Sequence, residues 1–274
     1  PGRQIVSLGQ RRWLHYSLGR SKSEAHQCTI DCQQRGLRDE VMNILIVAAT
    51  YPEIKTLVSS ITGHGDNEEF SRRTIQYHQT GIDVVITGVG LMHTAHFMGR
   101  VLASNTYDVA LNFGIAGSFS KNISIGDVVH VVEERVADLG AEDGENFLDV
   151  IELQLLNPDQ FPYNAGKLIH KTDDVAYGVS DLKKVKGISV NKVHGCQHSI
   201  DNVIQKYHPD IESMEGAAFF YSCLMENVPC LQIRAISNYI EDRNKDTWNI
   251  PLAIKNLNRV ALKIIHHVTQ HISV

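Results

Sequence analysis

The stretch Asn43-Ile44-Leu45-Ile46-Val47-Ala48-Ala49 decides the fold of this chain. It is a continuous apolar run, which is typical of a strand that helices cover on both faces. Towards the C-terminus, similar runs alternate with helical patterns, and the clearest helix is the last one. Its apolar stripe consists of Ile250, Ile254, Leu257, Ala261, Ile264 and Val268. Strand–helix alternation of this kind predicts an α/β protein whose parallel or mixed sheet has helices on both faces.

Single-sequence patterns also predict the element boundaries. Strands are expected at 43–49, 72–79, 82–87, 109–113, 127–132, 187–193 and 230–236, and helices at 51–61, 91–104, 199–207 and 215–226. The strands at 72–79 and 82–87 should form a hairpin that turns at Thr80-Gly81. Glycine turns are expected at 88–90 and 114–117, and loops over 138–165.

Composition restricts the function classes. The 274 residues are 43% hydrophobic and 21% charged, which excludes a disordered or coiled-coil chain. A net charge of −5 argues against nucleic acid as a partner, and no apolar run approaches the roughly 18 residues that span a membrane. The five cysteines are scattered, and no signal-peptide pattern is present, so we expect a cytoplasmic protein.

Residues 1–41 differ in character from the rest of the chain. They contain seven Lys or Arg residues against four Asp or Glu residues, and they show no sustained period of 2 or 3.6. A basic arm of this kind could bind nucleic acid or a membrane surface. The prediction that we adopt is an unstructured extension, or an artefact of where translation was assumed to start. One domain is expected over residues 42–274.

Several familiar motifs are missing. The Gly88-Val89-Gly90 turn has His93 where a dinucleotide fingerprint needs glycine, and neither a Walker loop nor a G-x-S-x-G elbow occurs. The spacing of His194, Cys196 and His198 fits no zinc site, so no metal is expected. Polar residues remain at the predicted strand ends: Glu53, Glu215, Arg234 and Asn238. Taken singly, each could be structural, because a carboxylate at a helix N-terminus is often only a favourable dipole contact.

Taken together, six segments resemble the purine nucleoside phosphorylase and nucleosidase superfamily. They are Ala48-Ala49-Thr50-Tyr51-Pro52-Glu53, Thr87-Gly88-Val89-Gly90, Asn112-Phe113-Gly114-Ile115-Ala116-Gly117, Ile125-Gly126-Asp127-Val128, Ser213-Met214-Glu215-Gly216-Ala217 and Arg234-Ala235-Ile236-Ser237-Asn238. Their order and spacing match from about Met42 to the C-terminus. The resemblance implies a three-layer α/β/α sandwich around a central mixed sheet.

The methylthioadenosine/S-adenosylhomocysteine nucleosidases of that superfamily imply roles for individual residues. Glu53 matches the base that activates water, and Arg234 lies beside that water. Met214 and Glu215 match the residues that hold the ribose. Val193 and His194 fall where the purine is stacked and met by backbone groups, and Gly90 and Gly114 let the backbone approach the substrate. The resemblance implies a purine nucleoside as substrate, no cofactor, and a homodimer or larger homo-oligomer.

Two departures from the superfamily pattern refine this expectation. Phosphorylases carry an arginine and a serine for phosphate where this chain has Asn112 and Ile115, so water is the expected nucleophile. Adenine-specific nucleosidases carry Asp where this chain has Asn238. An amide can donate to O6 of hypoxanthine and accept from its protonated N7, whereas a carboxylate cannot do both. Asn238 therefore belongs with the expected catalytic residues, although it cannot be a carboxylic acid that supplies the N7 proton.

Two further stretches, 189–195 and 237–244, resemble the futalosine hydrolases. This resemblance implies hydrolysis of futalosine to hypoxanthine and dehypoxanthine futalosine, a step of the futalosine route to menaquinone. One alternative is a nucleosidase or phosphorylase that acts on methylthioadenosine, S-adenosylhomocysteine or inosine. A second alternative is a nucleoside-binding protein of the same fold without catalysis, against which the presence of Glu53 and Glu215 argues.

Overall fold

The computed structural model describes residues 42–63, 70–169 and 173–271, so the prediction of an N-terminal extension lies outside the described residues. The strands are β1 Asn43–Ala48, β2 Arg72–Tyr77, β3 Thr80–Ile86, β4 Val109–Ser118, β5 Val128–Val136, β6 Gly140–Asp143, β7 Asn146–Asp149, β8 Leu168–Ile169, β9 Lys183–Ser189, β10 Ile211–Ser213 and β11 Cys230–Tyr239. The helices are α1 Tyr51–Thr62, α2 Leu91–Ser104, α3 Gln197–Tyr207, α4 Gly216–Met225 and α5 Ile250–His271.

A mixed sheet forms the middle layer, in the order β10-β9-β5-β11-β4-β1-β3-β2, with β8 paired to β5. The strands β3, β1, β4 and β11 are mutually parallel, whereas β5 runs antiparallel to β11. Helices α1 and α5 pack on one face, and α2 and α4 pack together on the other. The three-layer α/β/α sandwich with a central mixed sheet is therefore confirmed.

The apolar stripe of α5 explains how the first of these layers is held. Leu257, Ala261, Ile264 and Val268 are buried against a cluster that includes Ile233 of the sheet. Burying a side chain as large as Leu, Ile or Val stabilises the fold by about 1.5–3 kcal/mol. Within the described residues, no helix is both long enough and apolar enough to cross a membrane.

Strand β4 continues through both of its glycines, so the turn expected at 114–117 is wrong. Gly114 lies opposite Arg234 of β11, and Gly117 lies opposite Asn238. The ladder therefore continues where the sequence pattern suggests a break, because the side chains of β11 use the room that the glycines leave. A bulge between Ile236 and Asn238 shifts the register by one residue, so Ser237 has no partner in β4.

Several other boundaries differ from the expectation: β5 and β11 run further, to Val136 and Tyr239, and β9 ends earlier, at Ser189. The β2–β3 hairpin turns at His78 and Gln79, since Thr80 and Gly81 already pair with β2. Strand β9 begins at Lys183, four residues early, because its charged first half alternates between exposed and buried positions and hides the apolar pattern. A small hairpin, β6–β7, occupies part of the predicted loop; β6 is exposed, whereas Phe147 and Leu148 of β7 are half-buried.

Candidate functional site

Glu53 lies in the first turn of α1, just after the carboxyl end of β1. One carboxylate oxygen, Oε2, accepts hydrogen bonds from the backbone N–H of Thr50 at 2.8 Å and from its hydroxyl at 2.9 Å. The other oxygen, Oε1, accepts from the backbone N–H of Ile115 at 3.2 Å. The carboxylate therefore closes the start of the helix and also reaches β4 in the next layer.

Arg234 is buried in β11, with 1% of its surface exposed. Its Nη2 donates to Oδ1 of Asn112 at 2.5 Å, whereas Nε and Nη1 have no hydrogen-bond partner among the described residues. Gly114 separates the guanidinium from Glu53: a Cβ at Gly114 would lie 2.8 Å from Nη1 and 3.3 Å from Glu53 Oε1. The missing side chain leaves a small polar space between a carboxylate and a guanidinium.

Glu215 is the N-cap residue of α4, next to the half-buried Met214. Its Oε1 accepts the backbone N–H of Gly90 at 2.9 Å, so the start of α4 is tied to the start of α2. Gly90 has a φ of 99°, a conformation that L side chains rarely adopt. The predicted pair of Gly90 and Glu215 is therefore brought together by a direct hydrogen bond.

A carboxylate that the sequence reasoning missed lies behind this cluster. Glu134 of β5 is fully buried and accepts hydrogen bonds from the Ser189 hydroxyl at 3.0 Å and from Nε2 of Gln232 at 3.1 Å. The Ser189 hydroxyl in turn accepts the backbone N–H of Ala217, in the first turn of α4. The sequence gives no local signal for it, because Glu134 stands between two other charged residues, Glu133 and Arg135.

The charges of the cluster explain its protonation. Burial raises the pKa of Glu53, although the Thr50 hydrogen bonds and the Arg234 charge oppose that effect. Burial raises the pKa of Glu134 to about 7, again against the Arg234 charge. Burial lowers the pKa of Arg234, and the negative charges of Glu215, Glu53 and Glu134 oppose that decrease. A buried carboxylate with a raised pKa beside a guanidinium is suited to accept a proton from a small polar molecule such as water.

Asn238 lies beside Gly117 at the far end of the same β4–β11 ladder. Its Oδ1 accepts the Ser237 hydroxyl at 2.8 Å, and its Nδ2 donates to the Tyr239 carbonyl at 3.0 Å. One N–H and one lone pair of the amide therefore stay available for a further partner. Across Gly117, on the opposite side from Asn238, stands Glu212 of β10.

His194 follows β9 and is held by Glu212. Its backbone N–H donates to Glu212 Oε1 at 3.0 Å, and its ring Nδ1 contacts Oε2 of the same carboxylate. Val193 packs against a small apolar cluster that includes Ile188. His198 points elsewhere, to Asn202, and the described part of the chain contains no group of three or more His, Cys, Asp or Glu side chains that could hold a metal ion.

Comparison with known proteins gives this arrangement a context. The sequence model of the phosphorylase superfamily matches residues 43–270, which is most of the chain. The chain belongs to the phosphorylase superfamily. Within this superfamily, a futalosine hydrolase of Thermus thermophilus is 31% identical over 189 residues, which cover 68% of this chain and 82% of that protein.

Other members of the superfamily are also similar. A 5′-methylthioadenosine/S-adenosylhomocysteine nucleosidase of Maridesulfovibrio salexigens is 30% identical over 213 residues, which cover 73% of this chain and 87% of that protein. Among solved structures, the corresponding nucleosidase of Helicobacter pylori superposes with a TM-score of 0.68 at 16% identity, over 82% of this chain and 98% of that one. That similarity shows that the fold is shared.

Substitution of Gly114 by alanine tests the polar space between Glu53 and Arg234. The new Cβ would meet Arg234 Nη1 at 2.8 Å and force it to move. We expect Gly114→Ala to lower nucleoside cleavage by on the order of 100-fold, since a misplacement near 1 Å has effects of that size. Gly99→Ala on α2, where nothing lies within 4 Å of the new Cβ, is the matched control and should keep wild-type rates. Equal rates for both variants would contradict this geometry.

Substitution of Glu134 by glutamine tests its raised pKa. Between pH 4.5 and about 7 the folded chain holds a proton that the unfolded chain releases, so ionisation of Glu134 destabilises the fold as the pH rises. The effect of Glu134→Gln on the unfolding free energy should therefore be more favourable at pH 8 than at pH 5 by roughly 3 kcal/mol, whatever the cost of placing an amide against the Ser189 and Gln232 donors. Glu133→Gln is the control, because Glu133 is paired with Lys167 at 3.0 Å and gains nothing from neutralisation. The same effect at both pH values would rule out this account.

Proposed function

We propose that this chain hydrolyses futalosine to hypoxanthine and dehypoxanthine futalosine. The chain is an N-glycosyl hydrolase of the phosphorylase superfamily. With futalosine as its substrate, its reaction would be a step of menaquinone biosynthesis. The observation that carries the proposal is the pair formed by Glu53 and Arg234 across Gly114, because it provides a proton acceptor and a cation on either side of a residue that has no side chain. The 31% identical futalosine hydrolase supports the choice of substrate.

Water fits this site better than phosphate does. Asn112, where the phosphorylases carry an arginine, is already occupied: its Oδ1 accepts from Arg234 and its Nδ2 donates to the Val47 carbonyl at 3.1 Å. Among the residues that the structure describes, Arg234 is the one buried Lys or Arg, and its charge is opposed by Glu53, Glu215 and Glu134. A phosphate dianion would add two negative charges to an environment that already contains an excess of carboxylates, and such charges are expensive to bury without partners.

The residues then divide the reaction between them. Glu53 takes a proton from water, and Arg234 with Gly114 fixes where that water lies. Glu215 binds the ribose hydroxyls and stabilises the positive charge that develops on the sugar as its bond to the base breaks. Gly90 holds the Glu215 carboxylate through the 2.9 Å hydrogen bond, and Met214 covers the ribose beside it.

Asn238 selects the base. Its free N–H donates to O6 of hypoxanthine, and its free lone pair accepts from a protonated N7, while Ser237 and Tyr239 fix the orientation of the amide. Val193 lies beside the purine ring, and His194 lies at its edge. Aminofutalosine, which offers an amino group at position 6, would place a donor against the amide N–H.

A second candidate function is supported by the nucleosidase of Maridesulfovibrio salexigens, which is 30% identical. Purine release from futalosine, aminofutalosine, inosine and methylthioadenosine, each with and without phosphate, distinguishes the two candidates and also a phosphorylase. Release from none of them would favour a binding protein without catalysis. The expected homo-oligomer and cytoplasmic location stay predictions; sedimentation of the purified chain tests the first.

Glu53→Gln tests the base. An amide cannot accept a proton from water, so we expect cleavage of futalosine to fall at least about 100-fold. Both carboxylate oxygens accept N–H donors, so the amide must also turn its NH₂ towards one of them and lower the melting temperature. Thr50→Ala is the control: it removes the 2.9 Å hydroxyl hydrogen bond and weakens the same helix start, but it keeps the base and should lose far less activity. Comparable losses in both variants would make Glu53 a helix cap only.

Asn238→Asp tests the selection of hypoxanthine. A carboxylate oxygen would oppose O6, and an unsatisfied buried polar group costs about 1–3 kcal/mol, so futalosine cleavage should fall by roughly 10- to 100-fold. Aminofutalosine should lose less or gain, because its amino group can donate to the carboxylate. The measurement is the ratio of kcat/KM for the two substrates, in which general structural damage cancels. If the ratio does not move towards aminofutalosine, Asn238 does not read position 6.

A further inference from the structure

The pair of His194 and Glu212 has the features of a catalytic histidine. Glu212 is only 2% exposed, and both of its oxygens are used by His194, one by the backbone N–H at 3.0 Å and the other by ring Nδ1. A buried carboxylate on one ring nitrogen fixes the orientation of an imidazole. The second ring nitrogen, Nε2, is left for another partner.

The loop that carries His194 is clamped to the strand that carries Asn238. The segment directly after β11 contributes both contacts: Asp242 accepts the backbone N–H of Gln197 at 3.0 Å, and the Arg243 N–H donates to the Gly195 carbonyl at 3.3 Å. The edge of the Phe119 ring, just after β4, faces the imidazole at a centroid distance of 6.4 Å. The imidazole therefore has a fixed place at the carboxyl end of β4.

Sheet register places this pair at the base-binding end of the proposed site. Glu212 and Asn238 both lie opposite Gly117, from the two sides of β4, and cross-strand partners project to the same face. Gly117 is three residues beyond Gly114, which at about 3.3 Å per residue is about 10 Å along the strand. In the proposed function, Glu53 and Arg234 mark the sugar end, and Asn238 with His194 marks the purine end.

We propose that the His194 imidazolium, held by Glu212, donates a proton to the purine as the purine leaves the ribose. The inference rests on the proposed function and supplies the proton that Asn238 cannot. The bond between C1′ and N9 breaks, and its electron pair moves onto the purine. N7 of the purine takes the proton from His194 Nε2. The oxygen of water bonds to C1′, and its proton passes to Glu53. Exchange with solvent then returns a proton to His194 and removes one from Glu53.

This assignment gives the pH profile two opposite limbs. Glu53 must be ionised, so activity falls at acid pH; His194 must be protonated, so activity falls at alkaline pH. The charged groups around the imidazole are Glu212 from β10 and, beyond Gly195, Arg243 from the segment after β11. Phe119 contributes an uncharged ring edge.

The experiment compares His194→Asn and His194→Gln with wild type in futalosine hydrolysis from pH 5 to 10. We expect kcat to fall on the order of 100-fold, KM to change much less, and the alkaline limb to disappear. Glu212→Gln should lose less activity than either His194 variant, because the imidazole is kept and only the carboxylate that orients it is removed. His198→Asn, an exposed histidine four residues away, is the control and should match wild type.

A rise in KM with an unchanged kcat and an intact alkaline limb would overturn the inference, since His194 would then only bind the base. Melting temperatures of all variants separate these effects from unfolding. If wild type cleaves another nucleoside and not futalosine, the proposed substrate fails, and the same comparison on that nucleoside still decides the role of His194. If wild type cleaves no nucleoside, the proposed function and this inference fail together.

Discussion

A buried guanidinium is the constraint on which the rest of this structure depends. Removing the charge of Arg234 from water costs several kcal/mol, and the surrounding protein must compensate for it. Asn112 accepts one hydrogen bond, and three carboxylates, from Glu53, Glu134 and Glu215, lie near enough to oppose the fall in its pKa. These three side chains come from α1, β5 and the start of α4, so the compensation of one charge involves the sheet and both helical layers.

The same compensation creates the chemistry. Three carboxylates around one cation cannot all ionise freely in a buried place, and burial raises the pKa values of Glu53 and Glu134. Glu53 meets the small space left by Gly114, whereas Glu134 is sealed behind the first turn of α4. Two carboxylates that share one cation therefore differ in their surroundings, and in the proposed reaction Glu53 is the one that acts as a base.

Local sequence patterns predicted the layers well, because strands such as Asn43–Ala48 are buried on both faces and the stripe of α5 has a strong period. They failed at Gly114 and Gly117, which look like turn residues and are in fact strand residues beside large neighbours on β11. The site residues came from family resemblance. Glu134 and Glu212 escaped it because their roles depend on partners far along the chain, such as Ser189 for Glu134, and no short-range pattern reports such contacts.

The bulge at Ser237 has a consequence for how relatives of this chain can diverge. From the Arg234–Gly114 pair to the Asn238–Gly117 pair, β11 advances by four residues and β4 by three, and both segments are continuous strand backbone. Without Ser237 the two paths would have equal length and Asn238 could still pair with Gly117, but the hydroxyl that donates to Asn238 Oδ1 would be lost. The extra residue of the bulge therefore does more than bend β11: it supplies a group that orients the neighbouring amide, and a relative without it would have to orient that side chain in another way.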